Sequence, residues 1–264
     1  MDDRHFSGRV LAVAGTDPTC GAGLSLDVRM IRHLGGIPLG AVTAVTVQDT
    51  ASVFQVHPLP GILVARQMEA VLDDLGADCI KLGMLATADV VRAVIGVIER
   101  HPRIPVVADP VVAGTGGGIL LDAEGLELWR RRLIPLVTLV TPNLPEAHML
   151  AGLPWHPLMP VASVAFLASS LASLGCSVLV KGGHGQGDRI TDHLYHQGRV
   201  LEYRHPRLEG PSFHGTGCAL ASAIATFLAF STPLEMAVEK GVATLLKAME
   251  NGSGMGRGQR VLGI

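Results

Sequence analysis

The chain of 264 residues is long enough to bury a substantial core, and its 48% hydrophobic and 17% charged residues argue against a disordered protein. Its formal net charge is −2 and its lysines and arginines form no dense run, which argues against a nucleic-acid partner. Four cysteines, Cys20, Cys79, Cys176 and Cys218, lack metal-ligand spacing, which argues against a zinc site and fits a reducing compartment. The start of the chain is polar, and no apolar run is long enough to span a bilayer. We therefore expect a soluble, cytoplasmic protein without a membrane partner.

Short apolar runs alternate with helical patterns along most of the chain, which is typical of a parallel sheet covered by helices. In chain order the patterns predict a strand over 10–14, a helix over 24–34, a strand over 41–47, a helix over 59–75, a strand over 79–84, a helix over 88–100, a strand over 106–108, a helix over 122–133, a strand over 136–140, a short helix ending near 150, a helix over 161–174 and a strand over 177–180. Residues 53–57 either extend the second strand or pair with it. Thr87 is expected to cap the helix that follows it.

The alternation changes towards the end of the chain. Apolar and polar side chains alternate over 192–207, which predicts an antiparallel hairpin. Helices over 219–230 and 234–249 follow, and we expect the glycine-rich tail, about 251–264, to be loose. The sequence therefore predicts a single α/β domain over 1–264, with a mostly parallel central sheet, helices on both faces and an antiparallel edge.

The stretch from Gly215 to Cys218 is a candidate anion site. Its glycines let a phosphate approach the backbone, and the apolar helix that follows directs free N–H groups and its positive dipole end towards it. Cys218 would lie in the first helical turn, where this field lowers the pKa of a thiol. The alternative is a glycine-rich loop before a core helix, with a buried and inert cysteine.

A second glycine-rich loop, over 15–23, follows the first strand. Its glycine spacing does not match the dinucleotide pattern, and the chain has no Gly-Lys-Ser/Thr for a Walker A loop. Ligands bind at the carboxyl ends of parallel strands, so Gly15, Asp17 and Asp27 are ligand candidates. The alternative is a plain connection between strand and helix.

Polar side chains recur where the later strands end, at positions that should share one edge of the sheet. They are Gln48, Asp109, Asn143, Glu146 and Lys181. Carboxylates suit Mg²⁺, a lysine and an anion hole suit a transferring phosphate, and an amide suits the edge of a heterocycle. This inventory indicates phosphoryl transfer. Simpler alternatives stay open: Glu146 could complement a helix dipole, Lys181 could pair with an acid, and the glycine-rich segment 113–118 is either a lid or merely flexible.

Seven motifs, in this order, resemble those of the hydroxymethylpyrimidine/phosphomethylpyrimidine kinases of thiamine biosynthesis, which have a ribokinase-like fold. The motifs are Ala14-Gly-Thr-Asp-Pro-Thr-Cys-Gly-Ala-Gly23, Val47-Gln-Asp-Thr50, Lys81-Leu-Gly-Met-Leu85, Asp109-Pro-Val-Val112, Thr141-Pro-Asn-Leu-Pro-Glu146, Val180-Lys-Gly-Gly-His184 and His214-Gly-Thr-Gly-Cys218. The resemblance covers about residues 9–247. It implies that the protein phosphorylates 4-amino-5-hydroxymethyl-2-methylpyrimidine and then its monophosphate, using ATP and Mg²⁺, and that it forms a homodimer.

The resemblance also implies a role for each candidate site residue. It places Gly15, Asp27, Gln48, Met84 and Val111 at the pyrimidine, Asp109 and Glu146 at Mg²⁺, and Asn143 and Lys181 at the phosphates of ATP. The amides of Gly215, Thr216 and Gly217, continuing to Cys218, would stabilise charge on the transferring group. Cys218 and Lys181 would be catalytic, with Cys218 activating the hydroxymethyl oxygen where most sugar kinases of this fold have an aspartate.

Three departures from the family pattern stand out. Thr19-Cys20 replaces the usual Ser-Gly of the first loop, and Asp49 replaces the usual asparagine after Gln48. The segment Ala113-Gly-Thr-Gly lacks the lysine that the family has in its lid, which could weaken handling of the already phosphorylated substrate.

Other functions stay open at this point. A pyridoxal or pyridoxine kinase of the same fold is the nearest alternative, since some relatives combine that activity with a cysteine loop. A non-catalytic protein that binds a vitamin precursor would not need the phosphate site formed by Asp109, Glu146, Lys181 and Gly215–Cys218. An oxidoreductase is poorly supported, because the glycine spacing is wrong.

Overall fold

An eight-stranded sheet forms the centre of the structure. The computed structural model describes residues 8–113, 118, 120–153, 162–184, 187–208, 210 and 212–264. The expected lid over 113–118 lies mostly outside the described residues.

The strands are β1 (Arg9–Ala14), β2 (Ile37–Val42), β3 (Ala44–Gln48), β4 (Val53–Pro58), β5 (Cys79–Leu82), β6 (Val106–Ala108), β7 (Leu139–Val140), β8 (Ser177–Val180), β9 (Arg189–His196) and β10 (Arg199–Pro206). The large sheet has the order β10-β9-β8-β7-β6-β5-β1-β2. Its strands from β2 to β8 pair in parallel, whereas β9 is antiparallel to both of its neighbours. The predicted parallel sheet with an antiparallel edge is confirmed, as is the predicted terminal hairpin.

The α-helices of the described residues are α1 (Gly23–His33), α2 (Gly61–Asp74), α3 (Ala88–Arg100), α4 (Ala123–Leu128), α5 (Leu144–Ala151), α6 (Ala162–Ala172), α7 (Thr216–Ala229) and α8 (Leu234–Glu250). Thr87 caps α3 as predicted, because its side chain accepts a hydrogen bond from the Val90 N–H. After α4 the helical path continues as a π turn over Trp129–Leu133 and a 3₁₀ turn over Ile134–Leu136. In the part of the chain that the structure describes, no helix is long and apolar enough to cross a membrane.

The helices cover both faces of the sheet, as predicted. On one face the core includes Met68 of α2, Val94 of α3 and Leu167 of α6. On the other face it includes Ile224 of α7 and Val238 of α8. The apolar α7 is therefore the central helix of its layer, and its first turn lies at the carboxyl ends of the parallel strands.

The second strand of the sheet differs from the prediction. The sequence predicts one strand over 41–47, but the structure has two strands here, β2 and β3. β2 contains Pro38, which the sheet tolerates because β2 is an edge strand. The chain leaves the large sheet at Thr43, and β3 pairs with β4 in a separate two-stranded sheet, which confirms the pairing alternative for 53–57.

The tail after α8 packs against the rest of the molecule, so the expectation of a loose tail is wrong. The Gln259 N–H donates to the Thr50 carbonyl at 2.9 Å, and the His214 N–H donates to the Arg260 carbonyl at 2.9 Å. Residues 256–264 are called the C-terminal strap below. The glycine-rich composition suggests mobility, but here it permits close backbone approach.

Candidate active site

Residues Gly215 to Cys218 form the start of α7. The helix begins at Thr216, and Gly215 precedes it with a φ of 77°, in the left-handed region. A Cβ on Gly215 would lie 2.0 Å from the carbonyl oxygen of Gly21, so this position has room for glycine alone. Cys218 is partly exposed in the first turn, whose N–H groups have no acceptor within the helix. The geometry can therefore bind an anion.

The Cys218 thiol is neutral at neutral pH. Desolvation raises the pKa of Cys218 to about 11, although the nearby Lys81 ammonium and a hydrogen bond from the Gly23 backbone act in the opposite direction. The net shift is upwards, because the loss of water around the sulfur and the nearby Asp109 and Asp27 carboxylates outweigh these two contributions. The group is available as a hydrogen-bonding thiol rather than as a ready thiolate.

Lys181 and Asp109 lie against the first turn of α7. The Lys181 Nζ is 2.9 Å from Asp109 Oδ1, and the Thr141 hydroxyl lies 3.3 Å from the same oxygen. A Cβ on Gly217 would lie 2.9 Å from the Lys181 Nζ and 3.2 Å from Asp109 Oδ2. Burial opposes the charge on Lys181, but Asp109 and Glu146 outweigh it and raise its pKa. A protonated amine therefore stands beside the anion site.

Asn143 and Glu146 form a capping box at the start of α5. Asn143 Oδ1 accepts the Glu146 N–H at 2.9 Å, and Glu146 Oε2 accepts the Asn143 N–H at 2.8 Å. A backbone bridge places Asn143 beside Lys181. Burial raises the pKa of Glu146 to about 7, with Lys181 lowering it and Asp109 raising it further. Glu146 thus stabilises its helix and also places a carboxyl group in the cluster.

The two acids of this cluster suit a magnesium ion. The described residues contain no group of three or more His, Cys, Asp or Glu side chains that could hold a metal. Mg²⁺ does not need one, because it commonly uses one or two carboxylates together with water and phosphate oxygens. Burial, and to a lesser degree the Asp109 carboxylate, raises the pKa of Glu146, so a cation beside the two acids would favour the ionised form of Glu146. Asp109 and Glu146 therefore fit the ion that the resemblance implies.

Of the residues that the resemblance assigns to the pyrimidine, Gly15, Met84 and Val111 follow strands of the large sheet, whereas Gln48 ends β3. A Cβ on Gly15 would lie 2.3 Å from Met84 Cε, so Gly15 and Met84 are in contact at the ends of β1 and β5. Val111 lies just beyond β6, and its N–H donates to the Asp109 carbonyl at 2.9 Å. Gln48 ends β3 and is partly exposed, and its side chain has no hydrogen-bond partner among the described residues. Its amide is free to bind a ligand.

Asp49, the acid that follows Gln48, shapes the turn between β3 and β4. Its Oδ1 accepts the N–H groups of Ala51 at 2.8 Å and Ser52 at 2.9 Å. These two hydrogen bonds lower the pKa of Asp49. The carboxylate is therefore engaged in a local turn.

Asp27 is fully buried and paired with Lys81. The Lys81 Nζ lies 2.8 and 2.7 Å from the two Asp27 oxygens, and the Ser222 hydroxyl donates to Asp27 Oδ1 at 2.7 Å. Both charged side chains are 0% exposed. Burial alone would lower the pKa of Lys81, but the Asp27 carboxylate raises it and keeps the amine charged. Asp27 therefore lies behind the surface of the site, where it ties α1 to β5 and α7.

Sequence reasoning missed the partners that hold this site together. Lys81 could have been noticed, because a lysine within an apolar strand is rarely buried unless it is paired. His214 directly precedes the anion site, and its Nε2 lies 2.9 Å from Asp17 Oδ2. No local signal connects these two residues, which are 197 positions apart.

Comparison with protein families gives a match over nearly the whole chain. The model of the phosphomethylpyrimidine kinase family matches residues 17–262. The hydroxymethylpyrimidine/phosphomethylpyrimidine kinase of Aquifex aeolicus is 32% identical, with 96% of this chain and 98% of the relative aligned. The enzyme of that name from Mycobacterium tuberculosis strain H37Rv is 39% identical, with 95% and 91% aligned.

Some relatives are longer proteins. This chain spans about a third of the thiamine biosynthesis multifunctional protein ThiED of Corynebacterium efficiens, at 37% identity over 94% of the chain. It spans about half of the bifunctional ThiED of Geobacter sulfurreducens, also at 37% identity, over 95% of the chain.

Solved structures share the fold. The pyridoxal kinase of Staphylococcus aureus, in complex with AMP-PCP and pyridoxal, has a TM-score of 0.88 at 29% identity, covering 97% of this chain and 93% of that one. The phosphomethylpyrimidine kinase of Clostridium difficile has a TM-score of 0.79 at 29% identity, covering 91% and 99%.

Proposed function

Because the chain belongs to the phosphomethylpyrimidine kinase family, we propose that it transfers a phosphoryl group from ATP to 4-amino-5-hydroxymethyl-2-methylpyrimidine and then to the resulting monophosphate. The proposal includes the place of both steps in thiamine biosynthesis, which the names of the longer relatives support. It also includes ATP as donor, which the AMP-PCP complex of a structural neighbour supports.

The observation that carries the proposal is the contact of Lys181 and Asp109 with the first turn of α7. Phosphoryl transfer depends on positioning and on neutralising charge, and this contact combines an ammonium group with free helical N–H groups. A protein that only binds the pyrimidine would have no use for this arrangement. We assign the amides of Gly215, Thr216 and Gly217 to the transferring phosphoryl group and Lys181 to its oxygens.

Asp109 and Glu146 would hold Mg²⁺, which neutralises phosphate charge when it is bound. Asn143 lies beside Lys181 and would face the ATP phosphates. On the acceptor side, the free amide of Gln48 would bind the edge of the aminopyrimidine ring, and Gly15, Met84 and Val111 would contact the rest of it.

Cys218 would orient the hydroxymethyl group of the acceptor. Its thiol is neutral in this structure, so it can accept a hydrogen bond from the alcohol without first losing a proton. A loose phosphoryl-transfer transition state needs little deprotonation of the acceptor. The alcohol proton would leave late in the step, to an oxygen of the transferred phosphoryl group or to water, and the role of Cys218 is chiefly to hold the attacking oxygen in line.

The proposed activity is tested by measuring kcat/KM for the pyrimidine alcohol, its monophosphate and pyridoxal with the same preparation and saturating MgATP. We expect turnover of both pyrimidines and a lower value for pyridoxal. Pyridoxal is the relevant competitor, because pyridoxal kinases are among the structures with a TM-score of 0.88. A clear preference for pyridoxal would assign the chain to that activity, and ligand binding without ATP consumption would make it a binding protein.

Replacing Cys218 by alanine tests the proposed orientation of the acceptor. We expect kcat to fall by about 100-fold or more, with KM for the pyrimidine alcohol changed by less than about threefold. Cys176→Ala is the matched control, since Cys176 is also a partly buried free thiol but lies at the start of β8. Equal kcat values for Cys218→Ala and the wild type would reduce Cys218 to a packing role.

We also propose that the chain acts as a single kinase domain in the cytoplasm and forms a homodimer. The β3–β4 hairpin supports the dimer, because Val45, Val47 and Phe54 are about half exposed or more on it. Light scattering after gel filtration measures the mass directly. A Phe54→Ser variant should shift the mass towards the monomer if this surface forms the interface.

A further inference from the structure

His214 joins two loops that lie far apart in the sequence. Its Nε2 is 2.9 Å from Asp17 Oδ2, and Asp17 is 1% exposed. The same buried carboxylate accepts the N–H groups of Thr19 and Ala22, each at 2.8 Å. Asp17 therefore fixes the backbone of the first glycine-rich loop and the side chain of His214 at the same time.

The protonation of this pair follows from its surroundings. Burial acts to raise the pKa of Asp17, but the hydrogen bonds from His214 and Thr19 outweigh it and the net shift is downwards. An ionised carboxylate can only accept hydrogen bonds. The Nε2 of His214 therefore carries the proton in the bond to Asp17, and the orientation of the ring is fixed.

The backbone of His214 is held by the C-terminal strap. Its N–H donates to the Arg260 carbonyl at 2.9 Å, and the Arg260 N–H donates to the Ser212 carbonyl at 3.0 Å. The Arg260 guanidinium also lies over the ring of Phe213, 4.3 Å from its centroid. The C-terminal strap thus pairs with the chain that enters the anion site.

The two loops pack without a gap. A Cβ on Gly21 would lie 2.7 Å from the His214 ring, and a Cβ on Gly215 would lie 2.0 Å from the Gly21 carbonyl oxygen. Gly215 is the residue that sets the direction of the first turn of α7. The His214 ring thus lies against Gly21, and the carbonyl oxygen of Gly21 lies against Gly215, which links the position of the ring to the start of α7.

We propose that His214 is a positioning residue, and that its hydrogen bond to Asp17 sets the direction in which the amides of Gly215, Thr216 and Gly217 point. This inference rests on the proposed kinase function, in which these amides receive the transferring phosphoryl group. His214 itself does not touch the reacting atoms. Its contribution is geometric, and a displacement of about 1 Å at such a site can cost about 100-fold in rate.

The test compares His214→Ala with His214→Gln in the full-length protein, using kcat, KM for each substrate and the melting temperature. The alanine variant should lose about 10- to 100-fold in kcat, while KM for MgATP and for the pyrimidine alcohol changes by less than about threefold. Glutamine places an N–H donor at a similar reach and should recover most of the lost kcat. His196→Ala is the matched control, because His196 also makes one side-chain hydrogen bond, 2.8 Å to Ser177, on the β9–β10 hairpin.

The outcomes separate this inference from the proposed function. If the wild type turned over none of the substrates, the proposed function itself would be wrong. Normal wild-type turnover with an unchanged kcat in His214→Ala would overturn the positioning role alone. Failure of both His214 variants to fold, or a loss of kcat that glutamine does not restore while the melting temperature falls equally in both, would make His214 a purely structural residue and would also overturn it.

Discussion

Opposing influences act on the sulfur of Cys218: burial and nearby carboxylates raise the pKa of the thiol, whereas the Lys81 ammonium lowers it. Burial dominates, since the pKa of Cys218 is raised to about 11. The residue type and its position in the first turn are readable from the sequence, but the degree of desolvation is a property of the folded protein. The sequence alone leaves the charge state of Cys218 open, and burial in the folded protein favours the neutral thiol.

The protonation state of the Cys218 thiol can be tested by measuring its rate of alkylation. A thiol with a pKa of about 11 is only about 0.1% ionised at pH 8, so Cys218 should react slowly with iodoacetamide. Cys20 is exposed and should be modified first. Mass spectrometry of the peptides gives both rates, and a Cys20→Ala variant shows whether modification of one site affects the other. Equally fast modification of Cys218 would indicate a thiolate and contradict the neutral thiol.

Among the elements, β5, α1 and α7 are tied together by a buried ion pair. Lys81, Asp27 and Ser222 come from these three elements in that order, and their polar atoms meet within 2.8 Å. Neither charged group is in contact with water, so each depends on the other for the compensation of its charge.

Removing one partner of this ion pair should destabilise the protein strongly. Lys81→Met leaves the Asp27 carboxylate buried without its cation, and we expect a loss of about 3–5 kcal/mol in the free energy of unfolding. The double variant Lys81→Met/Asp27→Leu should recover a large part of that loss, because no unpaired charge remains. Urea denaturation measures both values. A double variant no more stable than Lys81→Met would show that the pair matters through packing rather than charge.

The sequence predicts strands correctly where the local hydrophobic pattern matches the position that the strand takes in the sheet. The apolar runs of β1, β6 and β8 form strands inside the sheet rather than at its edges, and the sequence places all three correctly. The run over 41–47 misled because it has high β-propensity, whereas the edge of the sheet takes the segment with Pro38. The β-propensity is a property of the segment itself. Which segment becomes the edge strand depends instead on the strand that it can pair with in the folded sheet.

At the scale of the whole molecule, the residues of the candidate site could be predicted from the sequence, but the long-range side-chain pairs that hold them in place could not. Parallel strands bring their carboxyl ends together, so Asp109 and Lys181 could be expected near Gly217. The Asp17–His214 and Lys81–Asp27 pairs join residues 197 and 54 positions apart, and nothing in the local sequence announces them.

The C-terminal strap links the part of the candidate site that contains Gln48 with the part formed by the start of α7. It contacts Thr50, two residues after Gln48, and it contacts His214, next to the anion site. If the proposed function holds, deleting the strap should both raise KM for the proposed pyrimidine substrate and lower kcat, each by about 10-fold or more, because positioning is lost on both sides. Steady-state kinetics of a chain ending at Gly254 measure this. Met255→Ser is the control, since Met255 is 80% exposed, and unchanged kinetics of the shortened chain would show that the strap is dispensable.

The strap also bears on the order in which the protein is made. The hydrogen bonds from the Gln259 N–H to Thr50 and from the His214 N–H to Arg260 connect the strap with segments synthesised earlier. The parallel sheet can assemble from residues that have already left the ribosome, but the loop before α7 gains its final support only when residues 258–264 emerge. A ribosome-bound chain with those residues still in the exit tunnel should therefore fold its sheet and yet lack the final geometry of the candidate anion site.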